Sequence, residues 1–485
     1  MPYIGRAPTA SITKLEDADQ DTKIQVEESS DEDIIRFDIA GAEDFTMTAN
    51  TLNVLSGSTL NINSGATIAN SGTATGFTDL TAIADGSAGS PSIANTGDDD
   101  TGIYFPAANT VGVVTGGTEQ FRFGSNPIPG GSKNLFHNGD FAVAQRGTSV
   151  ADIGAGAAAY KVFDGVINTG LSGSETGRYT MSQSTTVPAN TGHRQSMKVD
   201  ITTADASIAA GHWYYLEMRL EAQNVSHLQY GESGAKPLTV SFWTRSTTTG
   251  DYQFLLSQPD GSRAYSTGYT ISSADTWEKK TLTIPGDTSG TINNDTGIGL
   301  ILTFMLTGGS SSQGGTEDAW AAVANDMYGA GQTLNLFSST SNDWYMAGLQ
   351  VEVGSVATDF EFEDYGTTLQ KCQRYLHRLS KGDGTGARMG ISVGMFYSTT
   401  YLFSDWRYPN TMRAAPTMSY SAVGDFVILD VDANETVTAI ATDGAAQIDY
   451  APLVFTHSGT VTDGDAGFVR FDVEHTGYIQ FSAEL

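Results

Sequence analysis

The sequence predicts an all-β protein: an elongated chain of β-rich segments in series. Three observations carry this. Segments such as Leu238–Trp243, Lys280–Ile284 and Phe468–Val473 alternate apolar and polar residues, which is the period of a strand. The 55 Gly, with abundant Ser, Thr, Asn and Asp, cluster between those segments as turn residues do. Finally, Thr51-Leu-Asn-Val-Leu-Ser-Gly-Ser is followed by Thr59-Leu-Asn-Ile-Asn-Ser-Gly-Ala and then by Thr67-Ile-Ala-Asn-Ser-Gly. This is an eight-residue repeat, and a fixed period implies stacked units. Two stretches read as helix instead: the acidic region after Thr13, and Gly366–His377, where Leu369, Cys372, Tyr375 and Leu376 recur at roughly helical spacing.

Residues 1–46 form an N-terminal region that is strongly acidic. Positions 14–44 hold 12 acids against 3 bases, the mark of a solvated face. Ile34-Ile35-Arg36-Phe37-Asp38-Ile39 inside it has a strand pattern, so order is expected from about Thr22, supported by a partner. Residues 47–132 read as a β-repeat shaft. Each octad offers one or two apolar side chains: Leu52 and Val54, Leu60 and Ile62, then Ile68. A single chain cannot bury faces so thin, whereas three copies around a threefold axis share one core. The alternative is a flexible Gly/Ser/Thr linker, though a linker has no reason to keep Leu and Ile in register. A looser unit appears twice: Ile35-Arg36-Phe37 with Gly41-Ala-Glu-Asp-Phe45, and Ile103-Tyr104-Phe105 with Gly117-Thr-Glu-Gln-Phe121. Each pairs a strand with a hairpin arm and follows an acidic turn.

Two Pro and two Gly between Ser125 and Lys133 mark a boundary. Residues 133–365, with five of the six Trp, suit a β-sandwich. Residues 366–485 open on the short helix and continue as strands, ending in Gly477–Leu485; they read as a C-terminal β-sandwich tip.

The charge balance excludes some functions. With 25 Lys+Arg against 55 Asp+Glu, the formal charge is −30. Nucleic-acid binding needs a positive surface, and so does docking on anionic lipid. The apolar run Ile298–Leu306 falls far short of the ~20 residues that span a bilayer, and Met1–Ala10 has no apolar core of a secretory signal. Cys372 is the sole cysteine, so neither a disulfide framework nor a cysteine-based zinc site is expected.

No catalytic motif stands out. The seven His lack H-E-x-x-H spacing, and there is no phosphate-binding glycine loop or G-x-S-x-G elbow. Cys372 reads as a packed residue rather than a nucleophile. A glycosidase needs two carboxylates ~5–9 Å apart. Asp318, Asp326 and Asp343, near Trp320 and Trp344, are the acids to inspect. Asp463-Gly-Asp465 reads as a turn before a Ca²⁺ site. Neither metal nor cofactor is expected.

Aromatic residues are the better functional hint, since Phe, Trp and Tyr total 48. Flat rings stack on the apolar face of a sugar while small polar side chains bond its hydroxyls. Core packing is the default for any one ring. Trp243 is expected in the core, and Trp277 fits either place. The candidates for glycan contact are Trp320, Tyr328, Tyr397, Tyr401 and Trp406.

Several stretches also resemble a known group. Asn134-Leu-Phe-His-Asn-Gly-Asp-Phe-Ala-Val-Ala-Gln-Arg-Gly147 is similar to the opening of a jelly-roll domain found in tailed-bacteriophage tail fibres. Trp344-Tyr-Met-Ala-Gly-Leu-Gln-Val-Glu-Val-Gly-Ser-Val-Ala-Thr-Asp-Phe-Glu361 resembles its closing strand. Leu369-Gln-Lys-Cys-Gln-Arg-Tyr375 and Met412-Arg-Ala-Ala-Pro-Thr417 resemble the segment joining it to the fibre tip and a strand of that tip, and Met1-Pro-Tyr-Ile-Gly5 resembles an attachment end. The resemblance implies a homotrimeric fibre in the virion. Its N-terminus would be fixed to a tail or adaptor protein, and its other end would recognise a host glycan or outer-membrane receptor. It implies a jelly-roll like those of carbohydrate-binding modules, without assigning sugar-contacting residues. A non-enzymatic receptor-binding fibre is the expectation. The alternatives are a tailspike-like enzyme that cleaves surface polysaccharide and a fibre that only spaces or decorates.

Overall fold

In the computed structural model, residues 14–26, 33–60, 84–123 and 133–485 are described, apart from positions 109, 155, 157, 171–173, 333, 382–388, 432 and 474. Their regular secondary structure is nearly all β, and they divide into two units between Arg122 and Phe123. Among the described residues no helix is long and apolar enough to cross a membrane.

In the first unit, Lys14–Glu16, Lys23–Gln25, Ile35–Ile39, Ala42–Thr48 and Thr51–Val54 form one antiparallel sheet in chain order. The helix expected after Thr13 is therefore a hairpin. Asp favours turns over helix interiors, and the Asp17–Asp21 stretch closes through Asp17 N–H to the Thr22 carbonyl at 3.1 Å. The first octad is the sheet's last strand, paired antiparallel with Ala42–Thr48, rather than a separate stacked unit. Both copies of the hairpin arm follow a two-residue turn with positive φ at each position: Ala40 and Gly41, then Gly116 and Gly117. That twist suits a tight hairpin. The second copy lies in a four-stranded sheet of Ile93–Asn95, Asp98–Tyr104, Val111–Thr115 and Thr118–Phe123.

The second unit begins with a two-sheet sandwich. One sheet orders Ser149–Ile153, Arg178–Ser184, Ser196–Thr203, Asp343–Val353, Leu238–Ser246 and Glu278–Ile284. The other orders Ala159–Tyr160, Val166–Gly170, Trp213–Glu221, Ile298–Gly308, Gly250–Gln258, Arg263–Ile271 and Trp320–Ala322. Alternation along each strand sends one row of side chains inward. Phe242, Tyr252, Phe254, Tyr269, Phe304 and Trp344 fill the space between the sheets, with Phe242 edge-on to both Tyr269 and Phe304. Because Phe242 takes the inward position, Trp243 is only half-buried, on the opposite face, and not in the core as expected.

The opening and closing segments noted in the sequence meet here. Asn134 Nδ2 donates to the Leu349 carbonyl at 2.9 Å, while its Oδ1 accepts from the amides of Phe136 (3.1 Å) and Val351 (2.9 Å). Gly139 approaches so closely that a Cβ there would stand 2.0 Å from the Leu349 carbonyl oxygen. Asn138, fully buried, bridges the Val143 and Asp164 carbonyls.

The helix expected near Gly366 runs from Tyr365 to Gln373 and is capped by Asp364, which accepts from the Thr367 amide at 3.0 Å. After it, Leu376–Ser380, Tyr478–Ser482 and Thr417–Tyr420 make a three-stranded sheet. The rest is a closed six-stranded barrel ordered Gly390–Ser398, Tyr401–Arg407, Tyr450–His457, Asn434–Thr442, Phe426–Leu429 and Ala466–Phe471. The C-terminal region is thus a barrel with an attached sheet, not a second sandwich. Closure removes exposed edges and draws the wall tight: a Cβ on Gly467 would stand 2.2 Å from Leu402.

Sandwich and barrel are joined through the outward residues of strand Trp213–Glu221. Buried Glu221 accepts from Arg374 Nε (2.9 Å) and Nη2 (2.7 Å) and from the Tyr375 hydroxyl (2.9 Å). Arg219 Nη1 and the Tyr160 hydroxyl both donate to the main-chain oxygen of Leu485 at 2.8 Å. Arg146 pairs with Glu484. Burial, only partly offset by Arg146, pushes the Glu484 carboxyl up to about 7, and buried Asp164 is raised for the same reason. A carboxyl that holds its proton more tightly when folded contributes most at low pH, so stability falls as pH rises from the ordinary value of 4.5 to about 7. Thermal unfolding at pH 5 and pH 8 should therefore show a larger loss for the native chain than for Glu484→Gln. The difference should be up to roughly 3 kcal/mol, at about 1.4 kcal/mol for each decade of proton affinity. Equal losses would mean that Glu484 is ionised throughout.

Candidate functional site

The barrel places a row of rings and aliphatic side chains on its outer surface. Along Gly390–Ser398 the outward residues are Val393, Met395 and Tyr397, all exposed, while Phe396 points inward and is fully buried. Met395 lies opposite Phe403 on one neighbouring strand and Ala466 on the other, and Val393 lies opposite Phe468. Tyr401 stands opposite Ser398 where the hairpin turns. Tyr397 is the most open ring, at 68% exposure, and meets Phe403 edge-on at 5.1 Å. Strand alternation therefore brings Tyr397 and Tyr401 together on one uncovered aromatic face.

The other three candidates are occupied elsewhere. Trp406 is a core residue: its Nε1 donates to His377 Nδ1 at 3.1 Å, and its ring packs near Phe481. Burial holds His377 down to about 4, which leaves Nδ1 free to accept. Trp406 lies inward because it alternates with exposed Asp405 and Arg407. Trp320 is half-buried between Tyr230 and Tyr265, with Nε1 donating to the Pro285 carbonyl at 2.7 Å. Tyr328, also half-buried, packs on Trp213 and Tyr215 at 5.0 and 5.6 Å. Its segment covers the outer face of the seven-stranded sheet there. Trp277 packs edge-on against Tyr345 at 6.0 Å.

The acids singled out as possible catalysts are not gathered into one site. Asp343 begins a strand of the six-stranded sheet, accepts from the Tyr345 hydroxyl at 3.1 Å and is raised by burial. Asp318 belongs to the edge of the other sheet and accepts from Thr267 at 2.8 Å. Asp326 lies in a short 3₁₀ turn over that sheet. Cys372 is buried, with its thiol pushed well above the usual range by burial and neighbouring carboxylates, the reverse of what a nucleophile needs. Among the described residues, Asp17, Asp19 and Asp21 bring carboxylate oxygens within 4.8 Å of one another. All three are exposed, and Asp17 already accepts from the Thr22 amide.

A second uncovered surface lies on the five-stranded sheet. Leu15, Ile24, Phe37, Phe45 and Val54 stand opposite one another across all five strands. In the next row Met47 faces Ile35 on one side and Leu52 on the other. The sheet's other face is polar, with Lys23 paired to Asp38 and Arg36 to Glu43, each at 3.1 Å. In the single chain the apolar face is open: Leu15 is 61% exposed and Leu52 53%. Val54 and Leu60 are exposed too, and Ile62 and Ile68 lie outside the described residues. Sequence reading found the octad residues but not the cross-strand row. The row depends on the registers of four strand pairs.

The chain matches no known protein family and no curated protein. Solved structures similar to it include the enzymatically active domain of tailspike protein 4 of bacteriophage CBA120, at 11% identity and a TM-score of 0.24, covering 46% of this chain and 21% of that one. The match spans about a fifth of that tailspike domain's length. A family 11 carbohydrate-binding module of a Clostridium thermocellum cellulase is similar at 13% identity and a TM-score of 0.23, over 47% of this chain and 97% of that one. A putative sugar binding protein from Bacteroides thetaiotaomicron is similar at 11% identity and a TM-score of 0.25, over 45% and 99% respectively. Likeness at this level says nothing about what this chain binds.

The contrast between the aromatic candidates is measurable. Trp406→Ala should cost about 3–5 kcal/mol in chemical denaturation, as expected for emptying a packed site. Tyr397→Ala should stay within about 0.5 kcal/mol of the native chain.

Proposed function

We propose that this protein is a non-enzymatic, self-assembling recognition fibre that binds glycan on a cell surface, as the resemblance to phage tail fibres implies. The observation that carries the reading is the uncovered aromatic face on the barrel around Tyr397 and Tyr401. Exposed rings on a rigid wall lose little entropy on binding and offer a flat apolar surface to a sugar ring. Repulsion between an acidic chain and a negative cell envelope leaves stacking, shape and hydrogen bonds as the means of recognition. Several weak contacts on one particle would then act together.

On this reading the apolar face at residues 14–54 meets other copies of the chain, giving the homotrimer. Each of its larger side chains stands to gain roughly 1.5–3 kcal/mol on burial. The N-terminal region ahead of it holds the fibre to a tail or adaptor protein, and the place of action is the virion. The alternative, an enzyme cleaving surface polysaccharide, lacks a gathered pair among the acids inspected.

Binding of the full chain to immobilised bacterial surface polysaccharides tests the glycan contact. Tyr397→Ala and Tyr401→Ala together should weaken binding at least about tenfold, as loss of a stacking pair implies, with the melting temperature unchanged. Unchanged binding would overturn the assignment of the barrel face. Release of reducing sugar during incubation would overturn the non-enzymatic reading.

Sedimentation of the triple variant Leu15→Ser, Ile24→Ser, Val54→Ser tests self-assembly. The native chain should sediment as a trimer and the variant as smaller species. A native monomer, or a variant with unchanged mass, would remove the basis for the homotrimer.

A further inference from the structure

Beside the joint between sandwich and barrel lies a cleft of about 420 Å³, within the size range of small-ligand sites. It sits between the Trp213–Glu221 strand, the opening segment Lys133–His137 and the helix Tyr365–Gln373. In a chain with more than twice as many acids as bases, its lining carries Lys133, Arg219, Lys371 and Arg374 against one acid, Glu221. Two further acids answer these cations from nearby: Glu217 pairs with Arg219, and Glu363 with Lys371. Glu221 itself is taken up by Arg374 and Tyr375.

Lys133 differs from the other three cations. Its Nζ donates to the main-chain oxygen of Asp359 at 2.6 Å, and it has no carboxylate partner among the described residues. Asn224 and His227 line the same cleft with no side-chain hydrogen bond among the described residues. His227 is held below the usual imidazole range by burial and by Lys236, so at neutral pH it offers a neutral donor and acceptor. Leu135 and Val353 supply apolar surface. The cleft therefore combines one unneutralised ammonium, two open polar side chains and an apolar floor.

We propose that this cleft binds a carboxylate-bearing sugar, a uronic acid or similar acidic residue. Lys133 Nζ takes the carboxylate, Asn224 and His227 bond ring hydroxyls, and the apolar floor receives the C–H face of the ring. The local cation decides the sign of selectivity despite the acidic chain, because charges beyond about 10 Å are screened at ordinary salt. The sugar part rests on the glycan reading above. The anion part rests on the cleft alone, and neither uses Tyr397 or Tyr401.

Ligand-observed NMR titration of the full chain compares methyl β-D-glucuronide with methyl β-D-glucoside, which differ by the carboxylate, and with acetate as a bare anion. The glucuronide should bind about tenfold tighter than the glucoside and than acetate, the order expected for one charge-assisted contact. The preference over the glucoside should shrink between about 0.05 and 0.5 M NaCl. Lys133→Gln should abolish that preference, and Asn224→Ala should weaken both sugars by a similar factor. The double variant at Tyr397 and Tyr401 should leave this binding unchanged, which separates failure here from failure of the barrel-face reading. Equal binding of glucuronide and glucoside, or a preference that survives Lys133→Gln, would overturn the anion site. Acetate binding as tightly as the glucuronide would overturn its assignment to a sugar.

Discussion

The second unit depends on a small set of buried charges at one joint. Strand Trp213–Glu221 turns Tyr214, Leu216, Met218 and Leu220 into the sandwich core and presents Glu217, Arg219 and Glu221 on its other face. A buried carboxylate that lost its partner would cost several kcal/mol, so Glu221 fixes where Arg374 and Tyr375 must stand. Their position in turn fixes the end of the helix and the start of the strand that follows. Arg146 and Glu484 repeat the arrangement at the other end of the chain segment, and Arg413 Nε adds a bond to the Ala483 carbonyl at 2.7 Å. Hydrophobic surface alone would let barrel and sandwich slide, whereas paired buried charges with defined hydrogen bonds admit one docking geometry.

This joint gives a physical account of the recognisable sequence stretches. Gln145 and Arg146 of the opening segment reach the Leu376 carbonyl and Glu484. Arg374 and Tyr375 of the Leu369–Tyr375 stretch hold Glu221. Arg413 of the Met412–Thr417 stretch reaches the last strand. Those residues that carry the resemblance and are described thus build the sandwich and its joint, while Met1–Gly5 lie outside the described residues. None of them is on the aromatic face proposed for recognition.

How much was legible in the sequence follows from the range of each interaction. Strand content, the capped helix near Gly366 and the hairpin arms are set by alternation, caps and turn residues within a few positions, and all were readable. The hairpin at Lys14–Gln25 reads as helix in the sequence because two three-residue strands give alternation too little length to show itself. Trp406 and Tyr397 could not be separated by composition, since both sit in aromatic, polar-flanked strands; only strand phase against a closed barrel sends one inward and the other out. The cleft was invisible because Lys133, Asn224 and Lys371 are distant in sequence and meet only when the joint forms.

The charge distribution brings these parts together. Acids are densest at positions 14–44, yet in the sheet formed there Asp38 and Glu43 pair with Lys23 and Arg36 on the face opposite the row from Leu15 to Val54. Copies of a strongly acidic chain repel least where their charges do not confront one another, which is what the proposed contact through that apolar row requires. In the second unit Arg146, Arg219 and Arg374 pair at the joint with the buried carboxylates of Glu484, Glu217 and Glu221. Of the four cations that line the cleft, Lys133 alone has no carboxylate partner among the described residues. The proposed contacts with a cell surface then rest on ring geometry and that single charge rather than on general attraction.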